Sequence, residues 1–222
     1  MRRLYHLPFD PASRKIRLLL AEKKLDFTCQ IEPIWERRET FLALNPACEV
    51  PVLVEPEGKP LWDEHTICEY LEEVYPETNF LGNTAEMRAE VRRLMAWFDR
   101  KFGQEVTKNL VGEKIQKRFF GKATPNSTAI RAGKQNIRYH LDYIAYLTEQ
   151  RNWLAGSELS LADITAAAHI SAVDYLGDVP WADHPGAHDW YARFKSRPSM
   201  REILKDTVSG LQPARHYTDL DF

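Results

Sequence analysis

Two short segments of this chain carry residues that could bind a small peptide. In the first, NPACEVPVL (45–53), Pro51 stands directly before the apolar run 52–54. Proline cannot donate to a sheet ladder, so this residue belongs at the start of a strand. An X-Pro bond can be cis at modest cost. Held cis, the Val50–Pro51 bond would turn the backbone N–H and C=O of Val50 outward, where they can pair with an extended peptide.

The second segment is Asp63-Glu64-His65-Thr66, which opens a predicted helix. Backbone N–H groups at the start of a helix favour an anionic group. One segment can therefore pair with a peptide backbone and the other with a carboxylate. Together, in one small domain, they predict a site of the shape that glutathione requires.

Composition restricts the classes of protein to be considered. The 222 residues are 44% hydrophobic and 28% charged, with a net charge of −2, as in an ordinary globular protein. This charge gives no electrostatic case for nucleic acid as a partner. No apolar run reaches the roughly 18 residues of a membrane span. The three cysteines have neither disulfide nor zinc spacing. From the cysteines we expect a cytoplasmic protein without a metal site, and from the lack of a long apolar run we expect no membrane partner.

The hydrophobic pattern divides the chain into an N-terminal part with strands and a C-terminal part made of helices. The N-terminal order is strand, helix, strand, short helical turn, strand, strand, helix, which matches a thioredoxin-like domain. The predicted strands are 2–6, 27–32, 52–55 and 59–62, and the predicted helices are 12–24 and 66–74. We predict this domain over 1–78, a linker over 79–84, an all-helical domain over 85–205 and an extended tail over 206–222.

One C-terminal helix is expected at the centre of the helical domain. Residues 161–176 are apolar nearly all round, which indicates a helix buried on every side. Ser160 precedes this helix as its N-cap, and Asp163 occupies the third helical position, which is the pattern of a capping box. We therefore interpret Asp163 as a structural residue without a catalytic role.

Five segments in this order resemble the glutathione S-transferase superfamily. The resemblance implies an α+β protein, with a thioredoxin-like N-terminal domain followed by an all-helical C-terminal domain. It also implies homodimerisation. The five segments are RRLYHLPFDPASRKIRLLLAEK (2–23), FLALNPACEVPVL (41–53), LWDEHTICEYLEEVYP (61–76), WLAGSELSLADITAAAH (153–169) and WYARFKSRPSM (190–200).

The loop after the first strand is where the superfamily places a hydroxyl or thiol. That group favours the glutathione thiolate, which is the reactive species. By spacing from Arg17, the corresponding slot falls at Phe9 or Asp10, and neither side chain can stabilise a thiolate. Ser13 and Tyr5 are the nearest hydroxyls, although Ser13 fits an N-cap and Tyr5 fits a packed strand position. Both are kept as candidate thiol activators for an enzyme.

The resemblance also assigns the remaining glutathione contacts. Val50 and Pro51 would hold the cysteinyl backbone. Glu64 and His65 would hold the γ-glutamyl end, where the superfamily usually has glutamate followed by serine. The electrophile would bind between the two domains, near Trp97.

The segment before Pro51 lacks a lysine that is common in the superfamily. Cys48-Glu49 replaces a common Gly-Lys pair, so a lysine that could serve the glycyl carboxylate is absent. Arg37 or Arg38 could substitute for it. The sequence therefore keeps the scaffold of a transferase and alters several of its ligand contacts.

Trp35 and the end of the chain are candidates for a protein interface. Trp35 either covers the edge of its own domain or is an exposed anchor, since Trp and Arg are enriched at interface hot spots. The tail either packs on the helical domain or docks a partner. The tail candidates are Tyr217, Asp219, Asp221 and Phe222.

The FDPASR loop, the Trp35 loop and the HYTDLDF ending resemble one narrower branch of the superfamily, which binds the cell-division protein FtsZ in alphaproteobacteria. This resemblance implies a non-catalytic protein that binds the FtsZ polymer and regulates filament curvature and cell constriction. Such a protein would work in the cytoplasm, at the division site, and would need no cofactor. The alternative is a glutathione S-transferase that uses glutathione and conjugates it to small electrophiles.

Overall fold

A four-stranded sheet forms the N-terminal part of the protein. The computed structural model describes residues 1–119, 121 and 124–220. The strands are β1 (Arg2–His6), β2 (Phe27–Ile31), β3 (Val52–Val54) and β4 (Pro60–Trp62). Their order in the sheet is β2, β1, β3, β4, with β1 parallel to β2 and the other pairs antiparallel. The strand prediction is confirmed.

Apolar residues pack against both faces of this sheet, because successive side chains of a strand point to opposite faces. The helices of this part are α1 (Pro11–Glu22), α2 (Glu39–Leu42) and α3 (Glu64–Val74). Leu4 of β1 and Leu53 of β3 belong to the main core with residues of α1 and α3. Their neighbours Tyr5 and Val52 pack on the other face, around Phe41 of α2.

Two helices begin earlier than the sequence pattern predicts, and aspartate side chains explain both starts. Asp10 is the N-cap of α1, where its carboxylate accepts the Ser13 backbone N–H at 2.8 Å. Asp63 is the N-cap of α3 and accepts the Thr66 N–H at 2.8 Å. The N-cap role expected of Ser13 is therefore wrong, since the residue lies inside α1.

The C-terminal part is helical throughout its regular elements. It begins with α4 (Ala85–Ala96), which continues without a break through Trp97–Gln116. In this continuation the hydrogen bonds are of the wider π type, as when the Lys117 N–H bonds the Gly112 carbonyl. The other helices are α5 (Lys117–Phe119), α6 (Ser127–Thr148), α7 (Leu161–Tyr175), α8 (Pro185–Lys195) and α9 (Met200–Leu204).

Helix α7 lies at the centre of the molecule, as predicted. All 15 of its residues are buried. The predicted capping box is present, with Ser160 and Asp163 exchanging hydrogen bonds. Helix α1 packs directly on α7, so the sheet part and the helical part share one continuous core.

The C-terminal segment 206–220 is a packed series of turns, which corrects the prediction of an extended tail. Asp206 bonds the guanidinium of Arg17 at 2.7 Å, and the Ala214 N–H bonds the Tyr175 carbonyl at 2.9 Å. Tyr217 is completely buried. Among the described helices, none has the length and apolar character that crossing a membrane needs.

Candidate functional site

The segment before β3 has the backbone form that the sequence analysis expected. The Val50–Pro51 peptide bond is cis. Cys48 lies beneath it, is buried, and donates its thiol to the Ile34 carbonyl at 3.4 Å. Glu49, which stands where the resemblance expects a lysine, is exposed.

A cavity of about 390 Å³ opens at the start of α3. Asp63 precedes the helix with φ at 72°, an uncommon value for a residue other than glycine. Glu64 is the first helical residue. His65 follows, with its side chain 55% exposed. The described residues that line the cavity are Asp63, Glu64, His65, Arg92, Met95, Ala96, Asp99 and Arg100.

Charged groups of both signs line this cavity. Asp63 and Glu64 come from the start of α3, and Arg92, Asp99 and Arg100 from α4 and its continuation. Arg92 is already bound in two places by the Glu69 carboxylate, each at 2.9 Å. The helix N-terminus attracts an anion, but Glu64 places its own negative charge there. Since the superfamily usually has a glutamate at this position, Glu64 does not distinguish this cavity from a γ-glutamyl site.

Lys15, a residue that the sequence analysis did not single out, lies beside two of the carboxylates that line this cavity. Its ammonium is completely buried, 2.7 Å from the Asp99 carboxylate and 3.8 Å from that of Glu64. Burial alone would raise the pKa of Asp99, but the Lys15 charge and the nearby His169 lower it to about 2. Asp99 is thus a charged anchor between α1 and the long helix, which comprises α4, its continuation over Trp97–Gln116 and α5.

The slot expected to activate a thiol has no suitable group. Phe9 is buried, with its ring 4.4 Å from that of Tyr175. Asp10 is occupied as the α1 cap, and burial raises the pKa of its carboxyl. The Ser13 hydroxyl is buried and accepts the Leu7 N–H at 3.3 Å.

Tyr5, the other candidate activator, belongs to the opposite face of the sheet. Its ring lies 5.7 Å from that of Phe41. Neither Tyr5 nor Ser13 is among the described residues that line the cavity at α3. The predicted activators therefore do not line the cavity that the predicted γ-glutamyl contacts Glu64 and His65 line.

Arg14 is a second central residue that sequence reasoning missed. Its buried guanidinium donates to the Pro8 carbonyl at 2.6 Å, to Ser171 at 2.9 Å, and to Asp206 and Tyr217, each at 3.2 Å. It ties the turn before α1 to α7 and to the C-terminal segment. An arginine on the apolar face of α1 was the available signal, because a buried charge must be paired.

Trp35 is half-buried and stands between the two parts of the molecule. Its ring stacks on that of Phe119, at 5.3 Å and an interplanar angle of 13°. The neighbouring Arg118 reaches the Gly210 carbonyl of the C-terminal segment, at 3.4 Å. Phe119 and Arg118 are exposed, so the Trp35 turn, the end of the long helix and the C-terminal segment form one continuous surface.

The tail candidates fall into different environments. Tyr217 is completely buried, so its side chain cannot touch a partner in this conformation, which corrects its assignment as a contact residue. Asp219 is exposed and lines an open groove of about 770 Å³ beside Trp181. Asp221 and Phe222 lie outside the described residues.

The two arginines beside Trp35 also differ. Arg37 is exposed and has φ at 47°, in the left-handed region. Arg38 pairs with the buried carboxylate of Glu32, which fixes the turn to the end of β2. Arg38 is therefore engaged within the chain, whereas Arg37 contributes exposed positive charge next to Trp35.

Comparison with known proteins agrees with this architecture. Residues 11–74 match the model of the glutathione S-transferase N-terminal domain, and residues 109–198 match that of the C-terminal domain. The chain belongs to the glutathione S-transferase family. Full-length relatives place it more narrowly within that family.

Over its whole length the chain is 47% identical to FtsZ-localized protein A of Caulobacter vibrioides, of which it covers 98%. The solved structure of FzlA from C. crescentus matches 100% of this chain and 99% of its own, with a TM-score of 0.95 and 47% identity. A solved glutathione S-transferase from Rhodospirillum rubrum F11 matches all of both chains, with a TM-score of 0.98 and 59% identity. These matches confirm the fold and the likeness to FzlA.

Proposed function

We propose that this protein is a non-catalytic regulator of cell division that binds the FtsZ polymer and promotes filament curvature and constriction. The observation that carries the proposal is the whole-length likeness to FtsZ-localized protein A, at 47% identity. The protein would act in the cytoplasm, at the division site. It would need no bound cofactor for this role.

The thiol-activating slot supports a non-catalytic role. A transferase must hold a hydroxyl or thiol donor beside the glutathione sulfur. Here Asp10 caps α1 at that place, and its carboxylate would repel a thiolate. At the start of α3, the exposed His65 stands where the superfamily usually has a serine after the glutamate.

The surface around Trp35 supports a protein partner. Stacked aromatic rings next to arginine are typical of interface hot spots, and this surface combines Trp35, Phe119, Arg37 and Arg118. We propose it as the FtsZ-binding surface, together with Asp219 and the last two residues. The exposed arginine charge would speed association with a negatively charged partner.

Co-sedimentation with polymerised FtsZ from an alphaproteobacterium tests the proposal. We expect saturable pelleting of this protein with the polymer, and none with an unrelated glutathione S-transferase. Absence of pelleting across a range of salt would contradict the FtsZ role.

A pair of tryptophan variants locates the surface. We expect Trp35→Ala to weaken FtsZ binding about tenfold, as removal of a hot-spot side chain does. Trp62→Ala is the matched control, because Trp62 is 45% exposed on β4, at the opposite edge of the sheet. Equal binding by both variants would remove Trp35 from the interface.

A glutathione S-transferase is the second candidate function. The likeness to the solved R. rubrum glutathione S-transferase, at 59% identity, favours it. In that case Val50 and Pro51 would hold the peptide backbone, and Ser13 or Tyr5 would activate the thiol. Turnover of a chlorinated aromatic electrophile with glutathione, lost in Ser13→Ala or Tyr5→Phe, would support this candidate.

A further inference from the structure

The outer edge of β2 offers hydrogen-bonding groups that the proposed function does not yet use. β2 is the terminal strand of the sheet, paired with β1 on one side. Within the described residues no further strand pairs with its other side. Thr28, Cys29 and Ile31 are exposed, and Ile31 is 59% exposed although it is a large apolar residue.

Alternation along the strand shows which backbone groups face outward. The Glu32 N–H, directly after β2, donates to the His6 carbonyl of β1 at 3.0 Å. In a parallel pair every second residue bonds the neighbouring strand. Gln30 therefore faces β1 like Glu32, and the backbone groups of Cys29 and Ile31 point away from the sheet.

A groove of about 430 Å³ runs beside this edge, between β2 and α9. Its apolar lining residues are Phe27, Ala21, Pro198 and Ile203, and its polar ones include Arg17, Ser199 and Glu202. Cys29 also lines it, and partial burial there raises the pKa of its thiol. A strand added to β2 would place its alternate side chains in this groove, since they point to one face of a sheet.

The edge also continues directly into the proposed FtsZ-binding surface. β2 ends at Ile31, and the turn that carries Trp35 follows it. The pair of Arg38 with the buried Glu32 holds this turn against the strand. A partner seated on Trp35 therefore has an open strand edge immediately beside it.

We propose that the β2 edge binds an extended segment of the FtsZ subunit by strand addition, with alternate apolar side chains of that segment in the groove. Main-chain hydrogen bonds would supply affinity and the groove would supply selectivity, as in other cases of strand addition. The proposal rests on the proposed function, because it names FtsZ as the source of the segment.

Hydrogen exchange of the full-length protein, with and without polymerised FtsZ, tests the proposal. We expect the amides of Cys29 and Ile31 to exchange about tenfold more slowly in the complex, because they become hydrogen-bonded. Co-sedimentation is measured in the same samples. Failure of the wild type to pellet would overturn the proposed function, whereas pelleting without protection of β2 would overturn the strand addition alone.

A proline at an outward-facing position provides a selective variant. Cys29→Pro removes an outward N–H without removing a bond to β1. We expect it to bind FtsZ about tenfold more weakly, while the matched control Cys29→Ala, which keeps the N–H, binds like the wild type. Wild-type affinity in a folded Cys29→Pro protein would contradict the proposal.

Alkylation gives an independent measurement if Cys29→Pro does not fold. Cys29 is exposed, whereas Cys48 and Cys68 are buried, so N-ethylmaleimide modifies Cys29 first. We expect the alkylated wild type to lose FtsZ affinity and reagent-treated Cys29→Ala to keep it.

The hydrogen-exchange experiment also tests for a second copy of this protein as the occupant. Protection of the β2 amides that depends on the concentration of this protein alone, without FtsZ, would identify a second copy and overturn the proposal.

Discussion

At the scale of single residues, buried charges are placed where the two parts of the molecule meet. Lys15 and Arg14 both lie on α1, are completely buried, and bond groups from other elements. Removing one partner of a buried pair is costly, because it leaves an uncompensated charge. Removal of one partner from such a buried pair is therefore expected to cost more stability than removal of a surface ion pair.

Asp99→Asn tests the contribution of the Lys15 pair. We expect the free energy of unfolding to fall by about 3 kcal/mol, as for other broken buried pairs. Urea denaturation measures it. Asp183→Asn, which removes the exposed pair with Arg138, is the control and is expected to change stability by less than about 1 kcal/mol.

The Lys15–Asp99 ion pair predicts that the free energy of unfolding depends on pH. The pKa of Asp99 is lowered to about 2 in the folded protein, below the value of about 3.9 for an unfolded aspartate. The unfolded chain then binds more protons between these values, so stability falls as the pH is lowered from about 4 to about 2. The difference between wild type and Asp99→Asn is expected to shrink over this range, and a constant difference would contradict the assignment.

Tyr217→Phe tests whether this tail residue is structural. The Tyr217 hydroxyl accepts from Arg14 and donates to the Ile203 carbonyl, each at 3.2 Å. Its loss is expected to cost about 1 kcal/mol of unfolding free energy. FtsZ binding at a temperature well below unfolding is expected to be unchanged. A large loss of binding with intact stability would restore Tyr217 as a contact residue.

At the scale of elements, the start of α7 organises the helical part. The Asp163 carboxylate accepts the backbone N–H of Leu154 and of Ser160, the Ser160 hydroxyl, and the Trp190 indole N–H at 2.9 Å. It therefore joins α7 to the preceding loop and to α8. Of the hydrogen bonds that Asp163 accepts, the sequence predicted only those of the capping box.

Asp163→Asn is expected to lower the free energy of unfolding by about 3 kcal/mol. The amide keeps one acceptor oxygen, so buried donors lose their partner. Thermal and urea unfolding measure the change. Ser160→Ala, which removes one hydroxyl from the same cap, is the comparison and is expected to cost about 1 kcal/mol. Equal costs for both variants would show that Asp163 acts as a cap alone.

At the scale of the whole molecule, the C-terminal segment is part of the fold. Asp206 bonds both Arg14 and Arg17 on α1, and Lys195 bonds the His216 carbonyl at 2.7 Å. The segment thus connects the sheet part to the helical part.

A homodimer is expected from the family. Sedimentation velocity of the full chain tests that expectation.

Two truncations separate folding from partner binding. Removal of 206–222 takes away Asp206 and Tyr217, so we expect the midpoint of thermal unfolding to fall by about 10 °C or more. Removal of 218–222 leaves both residues in place and is expected to lower the midpoint by less than about 3 °C while weakening FtsZ binding. If the shorter truncation bound FtsZ like the wild type, Asp219, Asp221 and Phe222 would be excluded as contacts.

The sequence by itself determined the succession of strands and helices along the chain and the buried helix α7 with its cap. These features depend on local patterns: alternation in strands, apolar residues all round a helix, and turn residues between elements. The family came from the resemblance of five segments. It also showed that the thiol-activating slot holds Phe9 or Asp10, because residue type at a known position needs no coordinates.

Only the tertiary structure decided what the isolated charges and aromatic rings do. Arg14 and Tyr217 are 203 positions apart and Trp35 is far along the chain from Phe119, so no spacing rule connects them. Pairing over such distances follows from how α1, the long helix and the C-terminal segment pack together. That packing buries Tyr217, which the sequence left as a candidate contact residue, and leaves the β2 edge open, which the sequence did not reveal.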